Sequence, residues 1–200
     1  MGRTGPPLLV VCALRIERTA LRRGAARSGA EGVTVLRTGM GPTAADRAVR
    51  EALHQPELHG SAVLTTGFCA GLAPGMRPGD VVVAEDGHES EALAAALKAA
   101  GHTVHTGPLA ESDHVVRGAE RAALAATGAI AVDMESAAMR RAALAEGARH
   151  IAAARVVVDT PEFELVRVGT LRTGIIAFRV LRDLVPAFLD WHRTTVLPWR

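Results

Sequence analysis

Residues Ala129–Met139 read AIAVDMESAAM. A short apolar run, Ala129–Val132, stops at Asp133, Met134 and Glu135, and small, helix-favouring residues follow at once. A strand that hands over directly to a helix is half of an α/β unit. Apolar runs of strand length recur at Leu8–Ala13, Val33–Arg37, Ser61–Thr65, Asp80–Ala84, His102–Thr106 and Ile151–Val158. Helical patterns lie between several of them, at Thr43–His54, Glu89–Ala100, Glu135–Glu146 and Thr170–His192. Apolar runs without alternation fit strands covered on both faces, so the chain reads as an α/β layered domain rather than a sandwich or a bundle. Short connections around Val33–Arg37, Ser61–Thr65 and Asp80–Ala84 predict a mixed sheet. Leu72–Gly79, LAPGMRPG, is a turn by its Gly and Pro content. No repeat, linker or composition break divides the sequence, and residues 1–200 are expected to form one domain.

With 200 residues and 48% hydrophobic content, the chain can bury a sizeable core. It contains no uninterrupted apolar run long enough to span a bilayer. The run Leu8–Leu14 is followed by no small-residue cleavage site and reads as a buried strand. Cys12 and Cys69, the only cysteines, both fall in apolar stretches, which fits reduced core residues in a cytoplasmic protein. Lys98 is the only lysine; the other basic residues are arginines, scattered along the sequence. Aromatic residues make up only 3%, too few to give stacking platforms, so nucleic-acid binding is not expected.

Ligands of open α/β sheets bind beyond the carboxyl ends of the strands. Glu17 follows the first run, RTGMG the second, TTGFC the third, DMES the run before the third helix, and Asp159 the last. Each carboxylate also has a plainer reading. Glu17 suits the first turn of a helix, Asp133 suits an N-cap, and Asp159 before Thr160-Pro161 suits a turn. Together they are harder to dismiss. Gly39-Met40-Gly41-Pro42-Thr43-Ala44 matches a loose dinucleotide-binding fingerprint. It does not follow the first strand, however, and Pro42 removes an N–H from the would-be phosphate cradle. A glycine turn that lets a sugar or base approach the backbone fits as well. His102 and His105 flank a strand without a zinc-type ligand set, and neither a metal nor a cofactor is expected.

The segments ALRIE, TGMG, TTGFCAGLAPGMRPGDVVVAE, ESDHVV, VDMESAAM and RVVVD occur in the order of matching motifs in the nucleoside phosphorylase and nucleosidase superfamily. The sequence resembles that superfamily nearly end to end, and especially its methylthioadenosine/S-adenosylhomocysteine nucleosidases. CALRIE, VDMES and VVVDTPEFELVRVGTLRTG resemble a branch associated with hopanoid biosynthesis, thought to remove adenine from adenosylhopane. The resemblance implies a three-layer αβα sandwich around a mixed, mostly parallel sheet. It also implies an enzyme that cleaves the N-glycosidic bond of a 5′-substituted adenosine, and a homodimer.

By the same resemblance Asp159 is the acid that protonates the base, helped by apolar surroundings that keep its carboxyl protonated. Where relatives place a serine before this aspartate, this chain has Val158. Glu135 would hold the ribose hydroxyls and Met134 would pack on the sugar. Val115, Val116 and Phe68 would line the base pocket, and Thr66, Met40, Gly41 and Arg155 would complete the substrate site. Glu17 suits an attacking water, and Phe68 replaces the hydroxyl that phosphorylases use for phosphate. Hydrolysis is therefore expected. A phosphorylase using Thr65, Thr66 and Arg37, or a noncatalytic nucleoside-binding relative, is the alternative. In Thr170–His192, apolar residues recur at helical spacing, and Ile176, Leu184, Phe188 and Trp191 widen the apolar face. One long helix is expected across the sheet, with a subunit contact or a weak membrane contact as uses for the surplus.

Overall fold

The computed structural model describes residues 6–30, 32–85, 88–161 and 170–196. Strands β1 (Leu8–Cys12), β2 (Val33–Arg37), β3 (Ala62–Gly71), β4 (Val81–Ala84), β5 (Val104–Gly107), β6 (Leu109–Glu111), β7 (Ala131–Asp133) and β8 (Ile151–Asp159) form one sheet. Its main path runs β2-β1-β3-β8-β4-β5. Pairing is parallel except for β4 with β8 and β7 with β3, so the sheet is mixed and mostly parallel. The helices are α1 (Arg15–Arg27), α2 (Pro42–Leu53), α3 (His88–Ala99), α4 (Ala119–Ala126), α5 (Ser136–Ala145), α6 (Thr170–Asp183) and α7 (Val185–Val196).

Side-chain alternation along β1 shows why its apolar run is unbroken. Leu8, Val10 and Cys12 join a core with Leu21, Leu181, Phe188 and Trp191 from the helices on one face. Leu9, Val11 and Ala13 join a second core with Val49, Leu53, Ala138 and Met139 on the other. A strand sandwiched between two helical layers needs apolar residues on both faces. Both cysteines are buried and free, and burial pushes the Cys12 thiol up to about 12.

Four differences from the sequence reading matter for the site. β3 continues past Thr65 to Gly71. Beyond the stretch that pairs with β1, its edge is taken by β7 at Ala70 and Gly71. The antiparallel β7 returns the chain toward the end of β1, which carries Asp133–Glu135 into the gap there. β6 and α4 were not anticipated; both are short, too brief for periodicity to reveal. The single helix expected over Thr170–His192 is two, separated at Leu184, where the ring and missing N–H of Pro186 suit the start of a new helix rather than the interior of an old one. Its supposed surplus is also largely used. Leu184, Phe188 and Trp191 are buried in the first core, and the Trp191 indole N–H donates to the Glu89 carbonyl at 3.1 Å. Residues 162–169, part of the segment behind the hopanoid resemblance, lie outside the described residues.

Among the described residues, no helix is long and apolar enough to cross a membrane, and no group of three His, Cys, Asp or Glu side chains could hold a metal ion.

Candidate active site

A cavity of about 260 Å³ opens beyond the carboxyl ends of β1, β2 and β8, closed on one side by residues 114–116 and α4. Glu17, Met40, Phe68, Val115, Val116, Met134, Glu135 and Asp159 all line it. Eight residues singled out along 143 positions of sequence thus share one wall-to-wall space. Thr66, Gly41 and Arg155 do not line it. They stand behind the lining and hold it in place, a supporting position instead of the substrate contact expected. His114, Arg121 and Asp133 line the cavity as well.

Glu17 occupies the third position of α1 and is 2% exposed. Its Oε2 accepts the Ala13 and Leu14 N–H groups at 3.0 and 2.7 Å, and its Oε1 accepts the Phe68 N–H at 2.8 Å. The helix-start reading is met directly, since this carboxylate caps α1 and ties it to β3 while also lining the cavity. A carboxylate can accept about four hydrogen bonds, so one acceptor position on Oε1 remains for a ligand. Burial raises the Glu17 pKa, while the three N–H donors and Arg155 oppose the rise. Gly67, at φ +143°, is what permits the approach: a Cβ there would lie 2.6 Å from Glu17 Oε1 and 2.7 Å from Arg155 Nη1.

Under the floor lies Arg155, 1% exposed. It pairs with Asp133 at 2.8 Å, donates to Ser136 Oγ at 2.7 Å and to the Thr66 carbonyl at 2.7 Å. Asp133 in turn accepts the Ser136 hydroxyl at 2.6 Å and the Ser136 N–H at 3.2 Å. It fastens the start of α5, as its capping role suggested, and anchors the arginine too. Beside it, Glu135 accepts the Gly41 N–H at 2.9 Å through Oε1, leaving Oε2 without a hydrogen bond among the described residues. The glycine turn after β2, with Gly39 at φ 90° and Gly41 at φ 88°, thus aims a backbone donor at Glu135. Burial raises the Glu135 pKa, and the charges of Asp133 and Glu17 add to it, against Gly41 and Arg155.

Asp159 is reached by a bulge. Cys69 pairs with Val157, but Ala70 pairs with Asp159, so Val158 is the extra residue. Successive strand residues normally face opposite ways; the bulge lets Val158 and Asp159 both line the cavity. Asp159 is buried, but its setting is not the apolar one expected. Arg121 of α4 donates through Nη2 to Asp159 Oδ2 in a buried ion pair. A guanidinium paired this way balances a negative charge on the carboxylate. Arg121 Nε also donates to the Val116 carbonyl at 3.1 Å, and its Nη1 is buried with no partner among the described residues. Arg121 could not be found from motifs, because it sits in the first turn of a short, alanine-rich helix with no distinguishing neighbour.

The rim is different in kind. Met40 is 69% and Val115 59% exposed. His114 lies at the surface between Asp113 and Glu120, whose hydrogen bonds and charges raise its pKa. Thr65, Thr66 and Arg37, the residues that kept phosphorolysis open, do not line the cavity. Four carboxylates do, against one arginine already paired and one surface histidine.

The fold is shared with nucleosidases of known structure, and carboxylates gather at its strand ends. A family profile described as "Phosphorylase superfamily" matches residues 16–90. Among solved structures, a mutant Helicobacter pylori methylthioadenosine/S-adenosylhomocysteine nucleosidase with 5′-methylthioadenosine in its active site superposes with a TM-score of 0.76 at 14% identity, covering 94% of this chain and 99% of that one. The Neisseria meningitidis enzyme of that name, bound to methylthio-immucillin-A, gives 0.73 at 20% identity, over 90% and 98%. The futalosine hydrolase of Helicobacter pylori gives 0.75 at 14%, over 94% and 99%. No curated protein sequence matches significantly.

Proposed function

We propose that the protein hydrolyses the N-glycosidic bond of a 5′-substituted adenosine and releases adenine. The observation that carries this reading is the cavity lining: Glu17, Asp133, Glu135 and Asp159 surround a largely apolar space. Cleaving the bond builds positive charge on the ribose as the base departs, and carboxylates stabilise that charge. They repel a phosphate dianion, as does the cost of burying one beside the Phe68 ring. Water is the nucleophile. Glu17, with three backbone donors on it and one acceptor position left, orients that water and takes its proton. Glu135 Oε2 accepts from the ribose hydroxyls, and Met134 packs against the sugar. The base lies against Val116 and Phe68, facing the Asp159–Arg121 pair. As the purine enters, Arg121 is drawn off Asp159, whose buried carboxyl then takes up a proton from solvent and passes it to the base, most simply at N7. Met40 and Val115 leave the mouth open and apolar, which suits a bulky apolar 5′ group such as that of adenosylhopane.

The test is release of adenine, followed by chromatography, from adenosine, methylthioadenosine, S-adenosylhomocysteine and adenosylhopane. Adenine is expected from at least one of them. Binding of a nucleoside without release of base would make the protein a noncatalytic binder.

A further inference from the structure

Arginines scattered in the sequence gather in the fold. Arg15, Arg18 and Arg22 follow one another at helical spacing along α1, and with Thr19 and Arg37, at the end of β2, they line a surface groove of about 300 Å³. All four arginines are exposed, and none forms an ion pair within the described structure. Pairing is common elsewhere: Arg27, Arg47, Arg50, Arg141, Arg182 and Arg193 each meet a carboxylate. Glu17, the only acidic residue of α1, is turned inward to the cavity and does not offset the groove.

Groove and cavity are neighbours. Leu14 and Glu17 line the cavity, while Arg15 and Arg18, each one residue on, line the groove. Arg37 lines the groove, and Met40, three residues on, the cavity. Exposed apolar side chains accompany the cavity. Met40 and Val115 line it, and Ile16, 50% exposed, stands on the first turn of α1 between Arg15 and Glu17.

We propose that this face docks on an anionic lipid surface, with the arginine groove meeting headgroup phosphates and Ile16, Met40 and Val115 entering the interface around the cavity mouth. The opposite side of α1, with Ala20, Leu21 and Gly24, is packed in the core, so the helix does not insert and the contact is peripheral. Cations beside apolar side chains are the combination that interfacial binding uses. A second copy of the chain is a poor occupant, since a two-fold contact through the groove sets like charges against each other. A nucleic acid leaves the exposed apolar residues without a role. Resting on the hydrolase reading, the docking delivers a nucleoside with an apolar 5′ tail from the bilayer to the cavity without crossing water.

The test is flotation of the purified protein with phosphatidylcholine vesicles and with vesicles that also contain phosphatidylserine. Wild type is expected to float only with the anionic vesicles at low salt and to be released at high salt. Each arginine near such a surface contributes about fivefold in partitioning, so Arg18→Gln/Arg22→Gln is expected to lower it about 25-fold. Its melting curve and its base release from a water-soluble nucleoside should be unchanged, because neither residue lines the cavity. Ile16→Ser should reduce partitioning more modestly. Absence of binding at low salt, equal flotation of the double variant, or binding to duplex DNA without binding to vesicles each overturns the lipid assignment. Flotation without base release from any nucleoside breaks the hydrolase reading and leaves the docking intact; release without flotation does the reverse.

Discussion

The floor of the cavity and its rim are built in opposite ways. On the floor, Glu17 accepts three backbone N–H groups, and Arg155 is held by Asp133, Ser136 and the Thr66 carbonyl. At the rim, Met40 and Val115 project into solvent, and the His114 ring sits between the surface carboxylates of Asp113 and Glu120. A buried charge must be fully paired or it is costly, so the floor has one workable arrangement. The rim carries no such demand. On the hydrolase reading proposed above, the floor fixes the bond to be broken, and the rim is free to suit whatever the ribose carries.

Substitutions should separate the two regions by the size and kind of their effects. Asp159→Asn is the most severe for turnover. It cannot supply a proton, and base release is expected to fall ~10²–10⁴-fold. It also weakens the pair with Arg121, so a modest drop in melting temperature should accompany the loss. Near-wild-type release from this variant would remove Asp159 from the acid role. Arg155→Met is the most severe for the fold. It strands the buried Asp133 carboxylate, and denaturant titration should show a loss of about 3–5 kcal/mol. A loss under 1 kcal/mol would mean that the floor is not locked as described. Glu135→Gln is intermediate. Recognition of the ribose should weaken by about 1–3 kcal/mol in kcat/KM, and wild type should discriminate against 2′-deoxynucleosides to a similar extent. Equal efficiency on ribo- and deoxyribonucleosides would contradict this placement.

Titration probes the same floor. Burial raises the Glu17 pKa above its ordinary 4.5, and as a base it works ionised. The acidic limb of the rate profile should therefore have its midpoint above the usual carboxylate range. For stability the sign is opposite. A raised folded-state pKa means that the folded chain holds this proton more tightly. That contribution is present below the unfolded value and lost as pH rises through the folded one. Glu17→Gln should remove the acidic limb along with most of the activity. An unchanged limb would assign it to another group. Val115→Ser, at the rim, should change stability by less than about 0.5 kcal/mol and alter the choice among 5′ substituents more than the rate on adenosine.

What the sequence disclosed follows the same division. The two-sided burial of β1 forces an unbroken apolar run, β8 is apolar up to Val158 apart from Arg155, and a carboxylate just beyond such a run is conspicuous, so Glu17, Glu135 and Asp159 were legible. Arg121 was not, because an arginine on a short alanine-rich helix looks like any solvated one until the chain has folded back on β8. The bulge at Val158 was hidden for a related reason: it is a mismatch in register between β3 and β8, and neither strand shows it alone. The arginine groove is likewise made by α1 and the end of β2 together, and only Arg15, Arg18 and Arg22 have a spacing that betrays it. The long C-terminal helix was misjudged because apolar periodicity runs through Leu184 while Pro186 interrupts the backbone.

In the reaction proposed above, water, not phosphate, attacks the sugar in a cavity lined by four carboxylates. The most direct measurement is analysis of the sugar product with and without inorganic phosphate, using whichever nucleoside releases base. A free ribose-type product is expected, formed at a rate that added phosphate does not raise. A sugar 1-phosphate, or a rate that depends on phosphate, would contradict it.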